Sequence, residues 1–76
     1  MDYKKLYKLR GHAKKLAFEK TDLSEKHFLL SIADDIKMGM NTPVECSEDY
    51  FDNAMYNWVQ YCDEKNLHPR FKNLTF

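Results

Sequence analysis

The stretch LSEKHFLLSIADDIKMGMN, residues 23–41, predicts an amphipathic helix whose start and stop both lie within the sequence. Ser24 is a good N-cap residue, because its hydroxyl can accept a hydrogen bond from the first helical turn. Gly39 or Asn41 can end the helix. Between these ends the apolar side chains recur at helical spacing and share one face, namely Phe28, Leu29, Ile32, Ala33, Ile36 and Met40.

The residues before this stretch predict a first helix over residues 2–20. At about 100° per residue, its apolar side chains fall on one arc, comprising Tyr3, Leu6, Leu9, Ala13, Leu16 and Ala17. The opposite arc is cationic or titratable, comprising Lys4, Lys5, Lys8, His12 and Lys15. Gly11 is the weak point of this helix, since glycine costs about 1 kcal/mol relative to alanine in a helix interior.

The residues after it predict a third helix with two alternative starts. One start is Thr42-Pro43-Val44-Glu45, with a cap, a proline at the first helical position and a capping-box glutamate. The other is Ser47, followed by two acidic residues in the first turn. Either start gives one continuous apolar stripe, made of Phe51, Ala54, Met55, Trp58, Val59 and Cys62.

The C-terminal segment is expected to dock as a short fourth helix, because Leu67, Phe71 and Leu74 have i, i+4, i+7 spacing. No segment shows the sustained alternation that strands require. The predicted fold is therefore all-α, a small bundle of three main helices plus a short C-terminal fourth helix. Residues 1–76 are expected to form a single domain, as a chain of this length allows.

Charge is distributed very unevenly along the chain. Residues 1–20 hold seven of the twelve Lys and Arg residues against two acids, a formal charge of +5. Residues 21–65 hold ten acids against three bases, a formal charge of −7, and the last eleven residues add +2. The net charge of zero therefore joins a basic end to an acidic body, and a clustered basic face is what a polyanion or an acidic partner recognises.

Several classes of function find no support in the sequence. The three histidines are scattered without a nucleophile or ligand at a known spacing, so we expect no enzyme, no metal site and no cofactor. Cys46 and Cys62 lack the paired spacing of zinc or redox sites and are expected to be reduced thiols. No apolar run approaches the roughly 20 residues that span a bilayer, and the N-terminus does not resemble a secretory signal. We therefore expect an intracellular, cytoplasmic protein that does not bind membranes.

The basic end indicates a weak nucleic-acid-binding surface. Lysines on one helix face can contact phosphates without reading sequence. The candidate phosphate contacts are Lys4, Lys5, Lys8, Arg10, Lys14, Lys15, Arg70 and Lys72. Tyr7 and Phe18 fall at the margin between the apolar and basic arcs, where they either pack at the edge of the core or stack on bases as aromatic residues of single-strand sites do.

Part of the chain resembles the HRDC module, a small helical bundle appended to RecQ-type helicases. The matching stretches are Leu6-x-x-Leu9-Arg10-x-x-Ala13 and Leu29-x-x-Ile32-Ala33, which together cover about half of the chain. In length and composition the chain also resembles small proteins of T4-type phages that are encoded beside a recombination helicase. These resemblances imply an accessory role in branched-DNA processing during recombination and repair, with a helicase or another recombination protein as partner.

The first hypothesis is thus a non-enzymatic, monomeric module that binds single-stranded or branched DNA through its first helix. The competing hypothesis is a protein-interaction module that docks on a host protein, or inhibits one, through the acidic face of the third helix. That face comprises Asp49, Asp52, Tyr56 and Asp63. A third hypothesis is a homo-oligomer that joins the basic face of one copy to the acidic face of the next.

Overall fold

The computed structural model describes residues 2–76, which form four helices joined by short connections. They are α1 (Tyr3–Glu19), α2 (Leu23–Met40), α3 (Val44–Glu64) and α4 (Pro69–Lys72). No strand occurs in residues 2–76, so the predicted all-α class with three main helices and a short fourth is confirmed. Connections of three residues make successive long helices antiparallel, and α2 packs against both α1 and α3.

The starts of α1 and α2 are both capped by aspartate. The Asp2 carboxylate accepts hydrogen bonds from the backbone N–H groups of Lys4 and Lys5 at 3.0 and 3.3 Å. The Asp22 carboxylate accepts from Ser24 N–H at 2.9 Å, so the prediction of Ser24 as N-cap was wrong by two residues. An aspartate caps at least as well as a serine, and it also places a negative charge at the positive end of the helix.

Helix α3 begins at Val44, close to the first of the two predicted starts but without its capping box. Pro43 is extended and lies just outside the helix, which has no side-chain cap. The Thr42 hydroxyl instead donates to the Met38 carbonyl at the end of α2. The alternative start at Ser47 is wrong, because Ser47 is buried inside α3 and its hydroxyl donates to the Val44 carbonyl at 3.1 Å.

The core is built from the apolar faces of the three long helices. Its buried side chains are Leu6, Leu9, Ala13, Ala17, Leu29, Ile32, Ala33, Ile36, Phe51, Ala54, Trp58, Tyr61 and Cys62. All of these residues except Tyr61 belong to the predicted apolar stripes. The stripes were wrong at Tyr3 and Met40, which were predicted to face the core and are 55% and 37% exposed.

The C-terminal segment docks on this core, as its apolar spacing predicted. Leu67, Phe71 and Leu74 are partly buried against the core. The Trp58 indole N–H donates to the Phe71 carbonyl oxygen at 2.8 Å, which fixes the segment to α3. Leu74 has a left-handed backbone (φ 59°), and the chain then ends at Phe76, whose ring lies 4.4 Å from the His12 ring.

No helix in the described part of the chain is both long enough and apolar enough to cross a membrane.

Candidate binding face at the start of helix α1

The first two turns of α1 alternate aromatic and cationic side chains. Tyr3 and Tyr7 are one helical turn apart, and so are Lys4 and Lys8, so the helix presents two parallel lines of side chains. Both tyrosines are largely exposed, at 55% and 61%. Aromatic rings left this open on a small protein are candidates for contact with a partner.

These side chains border an open groove of about 660 Å³ between the start of α1 and the connection from α2 to α3. Its lining consists of Tyr3, Lys4, Tyr7, Lys8, Gly39, Met40, Thr42, Val44, Ser47 and Phe51. Val44, the first residue of α3, is 80% exposed. We call this feature the Tyr3–Val44 groove.

Close packing between α2 and α3 shapes the inner wall of the groove. The Tyr3 ring meets the Phe51 ring edge-on at 5.6 Å. A Cβ atom on Gly39 would lie only 2.6 Å from the Phe51 ring, so only glycine lets the ring approach α2 in this way. Phe51 is buried in the core, whereas the rim residues Met40 and Val44 are 37% and 80% exposed.

The groove has a one-sided electrostatic character. Among residues 2–76, Lys4 and Lys8 line it and no acidic residue does. The ion pairs found in residues 2–76 all lie elsewhere, joining Lys20 and Lys65 to Glu25 and Lys72 to Asp63. Glu48 borders a smaller adjoining cavity of about 210 Å³ that Tyr3 and Val44 also line. An occupant would therefore meet positive charge along the α1 edge only.

The predicted phosphate contacts on α1 are only partly brought together. The exposed lysines are Lys4, Lys5, Lys8 and Lys15, whereas Arg10 and Lys14 are half-buried on the flank of the helix. Both predicted stacking residues are largely exposed, Tyr7 at 61% and Phe18 at 72%, and neither is among the residues packed against the core. They are eleven residues apart, about 16 Å along the helix axis, so they form two separate aromatic positions.

The two predicted C-terminal contacts are already engaged within the molecule. The Lys72 ammonium pairs with the Asp63 carboxylate of α3. The Arg70 guanidinium lies 4.8 Å from the centre of the Phe71 ring, in a cation–π geometry, while its backbone N–H donates to His68. Neither side chain lines the Tyr3–Val44 groove.

His12 does not belong to the cationic arc on which the sequence placed it. Its ring is half-buried, stacks on Phe71, lies tilted against Phe76, and meets Trp58 edge-on at 5.7 Å. Burial, reinforced by the nearby Lys15 charge, lowers the pKa of His12 below its ordinary value of 6.5. The imidazole is therefore mainly neutral at pH 7 and adds no charge to the lysine face.

A second polar cluster, which the sequence analysis missed, joins the start of α2 to the end of α3. The Tyr61 hydroxyl donates to the Glu25 carboxylate at 2.8 Å, and the Lys20 and Lys65 ammonium groups lie 3.6 Å from the same oxygen. The hydrogen bond from Tyr61 is the main reason why the pKa of Glu25 is lowered, and burial is the main reason why the pKa of Tyr61 is raised. Every member of this cluster has a partner within the molecule, so we interpret the cluster as a structural link between α2 and α3.

The predicted acidic face of α3 is present on the surface. Asp49, Asp52, Tyr56 and Asp63 are all exposed, and the Tyr56 hydroxyl accepts a hydrogen bond from Gln60 at 2.9 Å. Asp63 is the member already paired, with Lys72. Within residues 2–76 no group of three or more His, Cys, Asp or Glu side chains is arranged to hold a metal ion.

The groove itself was not predicted from the sequence. The sequence feature that could have indicated it is the pair of apolar residues Met40 and Val44, which flank the turn Asn41-Thr42-Pro43. Compared with known proteins, the chain matches no family model, no characterised protein and no solved structure. The geometry of this face is therefore the basis for assigning a function.

Proposed function

We propose that this protein is a non-enzymatic module that binds single-stranded or branched DNA weakly through α1, as an accessory to a helicase in recombination or repair. The observation that supports it is the set of exposed lysines on α1 that have no carboxylate partner within residues 2–76, together with Tyr7 and Phe18 exposed on the same helix. The helicase context rests on the HRDC resemblance.

The physical basis is counterion release combined with stacking. Four free lysines on one helix can displace cations condensed on the phosphates, which gives affinity without sequence discrimination. Exposed aromatic rings add stacking on unpaired bases, which favours single strands over duplex. A footprint this small is expected to bind at micromolar or weaker affinity at physiological salt.

Salt dependence is the decisive measurement. Anisotropy of a labelled oligothymidylate and of a forked duplex, followed over a range of salt concentrations, should give a slope of ~−3 in log–log form for the single strand if four phosphates are contacted. Lys5→Gln with Lys15→Gln should make that slope shallower by about 1.4. These two lysines lie outside the groove, so the variant tests the phosphate contacts separately from it.

A matched control removes two positive charges from another helix. Lys26→Gln with Lys37→Gln changes α2 residues that take part in no ion pair in residues 2–76. This variant should retain the wild-type slope. If both double variants shift the slope equally, binding reflects total charge, and the proposed face on α1 is wrong.

The second candidate function is protein interaction through the acidic face of α3, favoured by the exposed Tyr56 between Asp49 and Asp52 on one side and Asp63 on the other. Asp52→Asn with Tyr56→Ser should then abolish cross-linking to a host protein that the Lys5/Lys15 variant still captures. Equal capture by both variants would exclude this face.

A further inference from the structure

The lining of the Tyr3–Val44 groove has a chemistry that nucleic-acid binding does not require. Phosphates need the lysines and bases need flat aromatic faces. The groove instead exposes a flexible thioether at Met40 and an aliphatic side chain at Val44, over a wall formed by Phe51. Aromatic residues and methionine are the side chains that protein interfaces favour.

We propose that the Tyr3–Val44 groove docks an amphipathic helix of a partner protein, with an apolar stripe that enters the groove and acidic residues along the flank that meets Lys4 and Lys8. An apolar helix face that lies in a hydrophobic groove, with anchors spaced i, i+3 or i+4 and i+7, is a common mode of peptide recognition. A wall formed by the buried, tightly packed Phe51 ring favours such docking, because it adds little ordering cost on the receptor side.

The charges at the groove determine the partner's polarity. In the described part of the chain, Lys4 and Lys8 line the α1 edge without carboxylate partners, and no acid lines the groove. A partner with basic flanks would be repelled along this edge, and an acidic flank would be attracted. Glu48, which borders the adjoining cavity together with Tyr3 and Val44, gives the docked helix a preferred orientation.

A second copy of this chain is a poor occupant. Its most acidic helix, α3, exposes only one large apolar side chain beyond Val44, namely Tyr56. A single anchor cannot supply the repeated contacts that a groove of about 660 Å³ accommodates. The partner is therefore a different protein, and the inference stands independently of DNA binding, although both ligands would compete for Lys4 and Lys8.

The test uses a displayed library of helix-forming peptides of about 16 residues, long enough to hold a helix when bound. Apolar residues are fixed at i, i+3, i+4 and i+7, and the flanking positions are Glu, Gln or Lys. Selection on the wild-type protein should enrich Glu on one flank. Enrichment of Lys, or no enrichment over unselected peptides, would overturn the proposal.

Charge-neutral variants then locate the binding site. Met40→Gln with Val44→Gln should weaken the selected peptide by about tenfold or more, as loss of central apolar contacts does. The matched control is Leu23→Gln with Met38→Gln. Leu23 is the first residue of α2, as Val44 is of α3, and Met38 is on the same helix as Met40. Leu23 and Met38 are exposed and lie outside the groove. This control should bind as the wild type does.

Further measurements separate the alternative occupants. Amide shifts at Val44 that depend on protein concentration would show a second copy in the groove and overturn the proposal. Shifts at Met40 and Val44 with oligothymidylate, while no selected peptide binds, would assign the groove to nucleic acid. If the Met40/Val44 variant loses peptide binding but retains normal salt-dependent DNA binding, both proposals are supported and the two binding functions are separate. If the wild-type protein binds no selected peptide but still binds DNA, the groove proposal is overturned and the DNA-binding proposal stands.

Discussion

The two halves of α1 meet their surroundings in opposite ways. The C-terminal half meets aromatic residues of the protein's own C-terminal segment, with His12 stacked on Phe71 and tilted against Phe76 beside the buried Trp58. The N-terminal half borders a groove that no segment within residues 2–76 covers. The comparison separates aromatic residues that stabilise the fold from those left free to bind.

This difference gives the two regions different expected energetics. Substitutions in the covered region should reduce the free energy of unfolding, whereas substitutions at the groove rim should change binding and leave stability nearly intact. The following experiments test that division, beginning with the largest expected effect.

Trp58→Ala should destabilise the protein by about 3–5 kcal/mol, the usual cost of removing a large buried aromatic side chain. Trp58 is fully buried, and its indole N–H satisfies the Phe71 carbonyl, which the variant would leave unpaired. Urea unfolding followed by far-UV circular dichroism measures the loss. A cost below about 1 kcal/mol would show that the C-terminal segment does not depend on this side chain.

The two glycines should respond to alanine in opposite directions. Gly39→Ala should cost about 1–3 kcal/mol, because the new Cβ would lie 2.6 Å from the Phe51 ring and force it to move. Gly11→Ala should stabilise by about 1 kcal/mol, since nothing lies within 4 Å of its Cβ position and alanine is the better helix former. Thermal unfolding of both variants checks this. The same sign of change in both would contradict the packing described for Phe51.

The covered region should make stability depend on pH. The pKa of His12 is lowered in the folded protein, so the unfolded chain binds the proton more readily. Stability should be level above pH 6.5 and should fall as the pH drops through that value. The lowered pKa of Glu25 adds a further loss only below pH 4.5, so the two effects are separable.

Unfolding curves measured in urea at a series of pH values test this dependence. His12→Phe keeps an aromatic ring in the stack and removes the titration, so it should flatten the curve near pH 6.5. His27→Gln, at an exposed position of α2, is the matched control. A pH dependence that survives in His12→Phe would assign the effect to another group.

The smallest effect on stability is expected at the groove rim. Met40→Gln with Val44→Gln should change the free energy of unfolding by less than about 0.5 kcal/mol per site, as exposed substitutions usually do. Denaturant midpoints measured beside those of Trp58→Ala complete the comparison. A large loss would mean that Met40 and Val44 support the fold, and would weaken the argument that they are free for a partner.

Local patterns were enough to predict the helices and most of the core. Apolar residues recur at helical spacing in each of three segments, which contain Leu9, Ile32 and Trp58 in turn. Each segment is therefore predicted as an amphipathic helix, because only a helix places such positions on one face. The exact helix starts were harder to predict. Short polar side chains can hydrogen-bond to several nearby backbone groups. The group that each one bonds depends on the neighbouring helix end, as at Asp22, Thr42 and Ser47.

The lysine face of α1 is likewise a property of the sequence, since spacing alone sets which side of a helix Lys4, Lys8 and Lys15 occupy. Tertiary structure decided the roles of their neighbours. His12 became neutral and stacked because the C-terminal segment returns to α1, and Tyr3, Met40 and Val44 form one groove because the corner from α2 to α3 lies beside the start of α1. Such contacts join residues that are far apart in the sequence, as His12 and Phe76 or Tyr3 and Val44 are, and helical periodicity extends only along one helix at a time.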